Sequence, residues 1–270
     1  MSDWQHGFYK LSPEERRSRL AMARHLPATV SQLLANQSSQ LGDQLVENYL
    51  TDYALPEGVV LGLRVNGTDY LVPMVVEEPS VIAAASNGAQ RIARSGGFVA
   101  APQHRALVGQ VVLVPAAGSR AADLAWLKDH RTDLVAVANA AHPSMKKRGG
   151  GALAASFRTP GKFISVDLQI DVCQAMGANS VNTMAEAVGH WLSNHGFNVL
   201  TAILSNYATT SLQQVECHVN FEQLATKAMA GQVVAQRMAD LSALAQVDPY
   251  RAATHNKGIM NGIDAVMIAS

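Results

Sequence analysis

The sequence contains few cysteines and carries no net charge. Among its 270 residues only Cys173 and Cys217 occur, with no CxxC pair, so we expect two reduced thiols rather than a disulfide or a metal site. Lysine and arginine together number 21, and so do aspartate and glutamate. This balance gives no electrostatic reason to expect a nucleic acid or an anionic membrane as a partner.

Long apolar runs are also missing. The most hydrophobic stretch, residues 58–76, is interrupted by Arg64, Asn66 and Asp69, so the sequence predicts no membrane span. The first ten residues, MSDWQHGFYK, carry charges where a signal peptide needs an apolar run. The sequence therefore predicts a cytoplasmic protein.

Several catalytic motifs are absent as well. No HExxH, GxSxG or GxxxxGK[ST] occurs, which leaves zinc peptidases, serine hydrolases and P-loop proteins without support. The nine histidines are scattered, so no metal site is expected. Residues 149–151 are three glycines that formally fit a dinucleotide-binding motif. The PSMKKR before them is not a strand, so we predict a plain turn.

The apolar spacing that is present predicts helices and a hairpin in the first hundred residues. Ser12-Pro13-Glu14-Glu15 is typical of a helix start, with a capping Ser, Pro at the first helical position and Glu at the third. Further helices are expected at about 28–35, 41–50 and 80–94. Asn66-Gly67 predicts the type I′ turn of a hairpin between residues 58 and 76.

The middle of the chain predicts an α+β arrangement. Strands are expected at 106–114, 152–158, 162–173 and 198–206, and helices at 120–142 and 180–194. This β-α-β-β-α-β order is the ferredoxin-like, split βαβ pattern. We interpret residues 105–205 as a small domain inserted into a larger mixed domain formed by 1–104 and 206–270. In the second part, a strand is expected at 213–220 and a helix at 230–247, and 248–258 connects to a terminal helix.

The stretch AMGANSVN, residues 175–182, is the best candidate for an anion site. A glycine turn that leads from a strand into a helix presents free N–H groups and the positive end of the helix dipole to a phosphate. The alternative is a tight turn with an Asn or Ser cap and no ligand.

Two further stretches have a functional and an ordinary interpretation. In Glu77-Glu78-Pro79-Ser80 the acids could complement the dipole in a first helical turn, or one could be a buried carboxyl that donates a proton. Lys257 could be a solvated surface lysine, or a cation that neutralises a developing oxyanion. Arg251 could bind a carboxylate with its fork of N–H groups.

Four of these stretches together resemble the bacterial (class II) 3-hydroxy-3-methylglutaryl-CoA reductases. They are PMVVEEPSVIAAAS, VDLQIDVCQAMGANSVNTMAEAV, ILSN and DPYRAATHNKGIMNGIDAV, in this order and spacing. The similarity extends through FYKLSPEER and VENYL, so it covers essentially the whole chain. It implies reduction of HMG-CoA to mevalonate and free CoA by NADPH or NADH, or the reverse reaction. It also implies a homodimer, or a higher oligomer of dimers, with active sites at the interface, and a small domain that binds the dinucleotide.

The resemblance implies a role for each motif residue. Glu78 would be the catalytic carboxyl, and Lys257 would polarise the thioester carbonyl beside it. The substrate would be held by Ser80, Arg251, Asn206 and Asn261. The dinucleotide would lie against Met176, Gly177, Ala178 and Asn179. Relatives that prefer NADH carry an acid where this chain has His142, and Lys146 and Arg148 follow; the resemblance therefore favours NADPH over NADH.

Two departures from the family pattern qualify these expectations. Gln174 stands where the family has an acid before AMGAN. The family continues past position 270 with a catalytic Asp and a His, so this chain is expected to be an incomplete and poorly active reductase. The alternative is a non-catalytic paralogue or fragment that keeps affinity for CoA or nucleotide.

Overall fold

The computed structural model describes residues 3–101 and 105–270. By its own contacts the chain divides into two compact units. Unit 1 consists of the residues up to Gly97 together with His218–Ser270, and unit 2 consists of Phe98–Cys217. The predicted insertion at 105–205 lies within unit 2, and its boundaries stay predictions.

Helices and strands are numbered here in chain order. The helices are α1 (Pro13–Arg24), α2 (Ala28–Asn36), α3 (Gln40–Leu45), α4 (Val81–Arg94), α5 (Arg120–Asp129), α6 (Arg131–Ala141), α7 (Pro143–Lys147), α8 (Ala178–Asn194), α9 (Phe221–Leu224), α10 (Gly231–Val247) and α11 (Pro249–Ala269). The strands are β1 (Glu57–Val65), β2 (Thr68–Val75), β3 (Phe98–Ala100), β4 (Leu107–Leu113), β5 (Gly151–Arg158), β6 (Ile164–Asp171), β7 (Val199–Ser205) and β8 (Val215–Cys217). Two short 3-10 helices, Asp3–Gln5 and Phe8–Lys10, precede α1.

The start of α1 in unit 1 is fixed by the predicted capping box. The Glu15 backbone N–H donates to Ser12 Oγ at 3.3 Å, and the Ser12 N–H donates back to Glu15 Oε2 at 2.8 Å. The Ser12 backbone N–H, together with the Ser12 hydroxyl, lowers the pKa of the Glu15 carboxyl. Two orphan N–H groups of the first turn are thereby satisfied.

The hairpin of unit 1 also forms as predicted. β1 and β2 pair antiparallel, with Asn66 and Gly67 at φ 49° and 79° in the turn between them, as a type I′ turn requires. Helix α4 packs on β1, and α11 packs on β2. Val60, Met74, Ala89 and Ala265 form the buried cluster between these elements.

Unit 2 is built on a four-stranded sheet in the order β5-β6-β4-β7, with every neighbouring pair antiparallel. β6, the third strand along the chain, lies between β4 and β5, which is the split βαβ arrangement. The alternation in β6 is confirmed, because Ile164, Val166, Leu168 and Ile170 are fully buried. They pack in one core cluster with apolar residues of α5, α6 and α8.

The other side of the β6 pleat carries a buried acid. Asp167 accepts hydrogen bonds from Ser165, Gln110 and the Arg158 guanidinium. Burial raises the pKa of Asp167, but the hydrogen bonds from Arg158 and Ser165 and the charge of Arg158 outweigh it, so the pKa is lowered overall. These donors saturate the carboxylate, which marks the cluster as structural.

Several predicted boundaries are wrong. The expected helix at 120–142 is two helices, α5 and α6, that meet at His130. The His130 ring stacks on Trp126 at 3.8 Å, and its Nδ1 lies 2.8 Å from the Trp126 carbonyl oxygen. α5 therefore ends at a residue where neither Gly nor Pro signals an end. The expected helix at 41–50 stops at Leu45, and the strand at 213–220 is reduced to β8, which pairs with β3.

The predicted connector at 248–258 is also wrong, because these residues are helical from Pro249 onward. Asp248 caps α11 by accepting the Tyr250 N–H at 3.0 Å, and Pro249 occupies the first helical position. Such an Asp-Pro start is a strong helix signal. Lys257 consequently lies in the middle of a 21-residue helix rather than in a loop.

Candidate functional site

Glu78 of unit 1 is the acceptor at the centre of a small polar cluster. Lys257 Nζ lies 2.7 Å from Glu78 Oε2, and Asn261 Nδ2 donates to the same oxygen at 3.1 Å. The cluster therefore joins a carboxylate, an ammonium group and an amide over two segments that are far apart in the sequence. Within the described ranges no donor is recorded for Glu78 Oε1, which leaves that oxygen available to a ligand.

The local sequence explains why these groups meet. Lys257 and Asn261 are four residues apart on α11, so they project from the same helix face. Glu78 lies in the short link between β2 and α4. Because α11 packs on β2 and also contacts α4, its polar face lies over that link.

Glu78 is more exposed than expected. The side chains of Glu78 and Lys257 are 46% and 63% exposed, so the expectation of a buried carboxyl is wrong for the single chain. The other interpretation, that Glu77 and Glu78 complement the dipole in a first helical turn, is wrong too, because α4 begins at Val81 and no acid lies in its first turn. Pro79 separates the two acids from the helix.

Ser80 has an unusual backbone conformation at the same link. It is the residue before α4 and has φ 75°, in the left-handed region, yet its hydroxyl makes no capping hydrogen bond. A non-glycine residue held there costs about 1–3 kcal/mol, and such residues cluster at functional sites. The Ser80 hydroxyl is therefore available to a ligand rather than to the helix.

Arg251, in the first turn of α11, has a guanidinium for which the described part of the chain offers no acceptor. Its Nε is buried and has no hydrogen-bond partner among the described residues, and no ion pair of Arg251 is found there. His255, one turn further along α11, also has a buried Nδ1 without a partner. The sequence analysis missed His255, although its spacing of four residues from Arg251 is the signal that could have indicated it.

In unit 2, the glycine turn before α8 has the geometry that an anion site needs. Gly177 precedes the helix at φ 92°, and no side chain caps the helix start. A Cβ at position 177 would lie 2.6–2.7 Å from the side chain of Val172, so only glycine fits. Met176 is 73% exposed, Ala178 opens α8 and Asn179 follows it.

His142 connects a second segment to this turn. Its Nε2 lies 3.2 Å from the Ser180 hydroxyl in the first turn of α8, and its Nδ1 lies 3.2 Å from the Ser144 hydroxyl. Lys146 and Arg148 follow on α7 and at its end, with exposed side chains. The predicted turn at 149–151 leads from α7 into β5, and a Cβ at Gly150 would lie 2.5 Å from the Asp171 carbonyl oxygen.

Asn206 lies in unit 2, directly after β7, with an exposed side chain.

Both cysteines are free thiols. No group of three His, Cys, Asp or Glu side chains that could hold a metal ion is found within residues 3–101 and 105–270. Over the same residues, no helix is both long and apolar enough to cross a membrane.

Comparison with known proteins gives a consistent result. A family model described as hydroxymethylglutaryl-coenzyme A reductase matches residues 12–270. The 3-hydroxy-3-methylglutaryl-coenzyme A reductase of Archaeoglobus fulgidus is 36% identical over 277 residues, covering 100% of this chain and 62% of that protein. The probable 3-hydroxy-3-methylglutaryl-coenzyme A reductase of Borreliella burgdorferi is 28% identical and covers 84% of this chain and 52% of that protein.

Solved structures agree. The class II 3-hydroxy-3-methylglutaryl-CoA reductase of Streptococcus pneumoniae, bound to NADPH in open conformations, has a TM-score of 0.79 and 40% identity. The match covers 98% of this chain and 73% of the chain in that structure. A second structure of the enzyme from the same organism has a TM-score of 0.79 and 41% identity, and the chain covers 64% of it. The chain thus spans 62% and 52% of the length of the two curated relatives.

Proposed function

This chain belongs to the hydroxymethylglutaryl-coenzyme A reductase family, and we propose that it takes part in the reduction of HMG-CoA to mevalonate and free CoA. The overall reaction consumes two NAD(P)H and two protons for each HMG-CoA, first to the aldehyde level and then to the alcohol. The observation that carries the proposal is the cluster in which Lys257 and Asn261 both donate to Glu78.

Lys257 and Glu78 have the charges that this reaction needs. When bound, the nicotinamide cofactor supplies a hydride to the substrate carbonyl carbon. The carbonyl oxygen then becomes an oxyanion, which Lys257 stabilises as the adjacent cation. At the thioester step the oxyanion collapses, the C–S bond breaks and CoA leaves as a thiolate that takes up one of the two protons. At the aldehyde step Glu78 delivers the other proton to the oxyanion, and Asn261 holds the Glu78 carboxyl in place. Reversal of the same transfers serves mevalonate oxidation.

The other motif residues hold the substrate. The Arg251 guanidinium binds the free carboxylate of the hydroxymethylglutaryl group through paired N–H groups. Its lack of a protein acceptor supports this role, because an unpaired buried donor is costly unless a ligand satisfies it. Within unit 1 the Ser80 hydroxyl adds a polar contact to the substrate, and Asn206 of unit 2 stays a predicted substrate contact.

The turn at 176–179 fits the phosphates of a dinucleotide. Its N–H groups are uncapped, the dipole of the 17-residue helix α8 is positive at this end, and Gly177 allows close approach of the backbone. Met176, Gly177, Ala178 and Asn179 would hold the pyrophosphate. His142, Lys146 and Arg148 would meet the adenosine ribose, and because they are basic or neutral, NADPH is preferred over NADH.

The protein acts as a homodimer or a higher oligomer of dimers in the cytoplasm. Apolar side chains exposed on α10 and α11 of unit 1 support an interface there; they include Leu241, Leu244, Val247, Ile259, Ile263 and Met267.

Calorimetry and product analysis test the proposal. HMG-CoA and NADPH are each titrated into the purified protein, and mevalonate and free CoA are then detected by mass spectrometry after long incubation with both. We expect both ligands to bind, and both products to form slowly with wild type but not with Lys257→Met. Binding of both ligands without products would instead indicate a non-catalytic CoA- and nucleotide-binding protein. Absence of HMG-CoA binding would contradict the proposal.

A further inference from the structure

Arg105 of unit 2 connects two loops, the one that follows β6 and the one that follows β7. It stands two residues before β4, and its Nε donates to the Ser211 hydroxyl at 3.0 Å. Its Nη1 and Nη2 donate to the carbonyl oxygens of Ala175 and Met176, each at 3.4 Å. One guanidinium therefore ties the loop after β7 to the turn that leads into α8.

The backbone beside Arg105 is itself held in place. The Ala106 N–H donates to the Thr210 carbonyl oxygen at 3.3 Å, and the Thr210 hydroxyl donates to the Ala106 carbonyl oxygen at 2.8 Å. The guanidinium thus starts from a fixed backbone position, which a mobile surface arginine would not have.

The hydrogen bonds of Arg105 determine which way the turn presents its N–H groups. In a trans peptide the carbonyl oxygen and the following N–H point in opposite directions. Because the carbonyl oxygens of Ala175 and Met176 are directed at Arg105, the N–H groups of Met176 and Gly177 are directed away from it. Successive N–H groups that point to one side of a turn form an anion-binding concavity.

The charge of Arg105 adds to the positive potential at the start of α8. Cations near the N-terminus of a helix oppose its dipole, whereas anions there are stabilised. A guanidinium on the carbonyl side of this turn adds to the positive potential on its N–H side. The arrangement is electrostatically balanced once a phosphate group lies on that side.

We propose that Arg105 is a positioning residue that holds the 175–177 turn in the conformation that binds the dinucleotide phosphates. This inference rests on the proposed function, since it takes the turn to be the cofactor site. Arg105 does not touch the cofactor; it acts through the two carbonyl groups. Nothing in the sequence separates it from the other arginines, because its partners come from loops 70 and more than 100 residues away.

The experiment compares five proteins, wild type, Arg105→Gln, Arg105→Lys, Ser211→Ala and Arg120→Gln, by calorimetric titration with NADPH and with HMG-CoA. Arg105→Gln removes the hydrogen bonds to both carbonyl groups, and Ser211→Ala removes only the contact that orients the guanidinium. Arg120→Gln is the matched control, because Arg120 is also an arginine of unit 2, half-buried, whose guanidinium donates to one carbonyl oxygen, that of Thr159, at 3.0 Å. Urea unfolding of every variant checks that the fold is intact.

We expect Arg105→Gln to raise the Kd for NADPH about tenfold, because binding must then order the released turn at a cost of about 1.4 kcal/mol. The Kd for HMG-CoA and the urea midpoint should both stay at their wild-type values. A purely structural role of Arg105 would instead shift both. Ser211→Ala should show a smaller loss in the same direction, Arg105→Lys should recover part of the affinity, and Arg120→Gln should bind as wild type does.

The outcomes separate the two proposals. If wild type binds NADPH and Arg105→Gln binds it equally well, the positioning role is wrong and the proposed function stands. If Arg105→Gln weakens NADPH and HMG-CoA alike and lowers the urea midpoint, Arg105 is merely structural. If wild type binds no NADPH, both the cofactor site and the role of Arg105 are overturned.

Discussion

Replacing Arg251 by methionine should weaken HMG-CoA binding without weakening the fold. The change keeps an unbranched side chain of similar length, so apolar packing on α11 is largely preserved. What it removes is a charge whose Nε is buried and unpartnered among the described residues. In the free protein that charge stabilises nothing that the structure reveals.

The size of the effect follows from the missing partner. A hydrogen bond to a charged group contributes about 1.5–3 kcal/mol, which corresponds to a change of about 10- to 100-fold in Kd. Burial of an unpaired polar group costs about 1–3 kcal/mol. The Arg251→Met protein should therefore have a free energy of unfolding equal to that of wild type, or about 1 kcal/mol higher.

The assay is a ligand-by-variant comparison. Calorimetry measures the Kd of wild type and of Arg251→Met for HMG-CoA and for free CoA, which lacks the hydroxymethylglutaryl carboxylate. Only the Kd for HMG-CoA should change. Urea unfolding of the same samples gives the free energy of unfolding.

Arg16 provides the control, since its Nε is also buried without a partner. Its terminal nitrogens, however, donate to the Asp43 carboxylate and to the carbonyl oxygens of Tyr9 and Tyr49. Arg16→Met should therefore cost about 3 kcal/mol of stability and leave both affinities unchanged. An equal loss of affinity for HMG-CoA and CoA in Arg251→Met, or destabilisation like that of Arg16→Met, would refute the reasoning.

Three further predictions test other parts of the chain. Lys257→Met and Glu78→Gln should each change the free energy of unfolding by less than about 1 kcal/mol, because exposed ion pairs contribute little. Each should nevertheless abolish mevalonate formation measured by mass spectrometry. A loss of stability with activity retained would contradict this. Gly177→Ala should cost about 2–3 kcal/mol in urea unfolding and weaken NADPH binding, because an alanine at positive φ also collides with Val172. The pKa of Asp167 is lowered in the folded state, so its stabilisation is complete above the ordinary carboxyl pKa and is lost as pH falls through the folded value. Wild type should therefore lose its stability advantage over Asp167→Asn in urea unfolding between about pH 5 and pH 2. An advantage independent of pH would refute the assignment.

The elements that the sequence predicted well are those with a strong local signal. The capping box at Ser12 and the Asn66-Gly67 turn depend only on neighbouring residues, and both form. The strand β6 follows from a strict two-residue alternation that one buried face imposes. In each case the physics that selects the structure acts within a few residues.

The failures have the opposite cause. The break at His130 lies where two helices meet, and apolar spacing, which continues from one helix into the next, carries no sign of it. Apolar spacing does not indicate the helical character of 249–258, because Gly258 and a polar THNK run weaken the periodicity there, and the signal lies in the Asp248 cap instead. At the site, the link at Glu78 could be predicted, whereas the unpartnered nitrogens of Arg251 and His255 could not, because they depend on which groups lack acceptors in three dimensions.

The exposure of the Glu78–Lys257 pair constrains how the proposed reaction can work. Two unit charges about 3 Å apart attract each other only weakly in water, and several-fold more strongly once water is removed and the effective dielectric constant falls. At 46% and 63% exposure, the pair in a single chain is close to the first situation, in which Lys257 would stabilise an oxyanion poorly. Catalysis therefore requires a surface that covers the pair and excludes water. The substrate can cover part of it, and a second subunit seated on the apolar faces of α10 and α11 can cover more. The proposed dimer would supply a surface of this kind, because the same two side chains gain their catalytic strength only when they are enclosed.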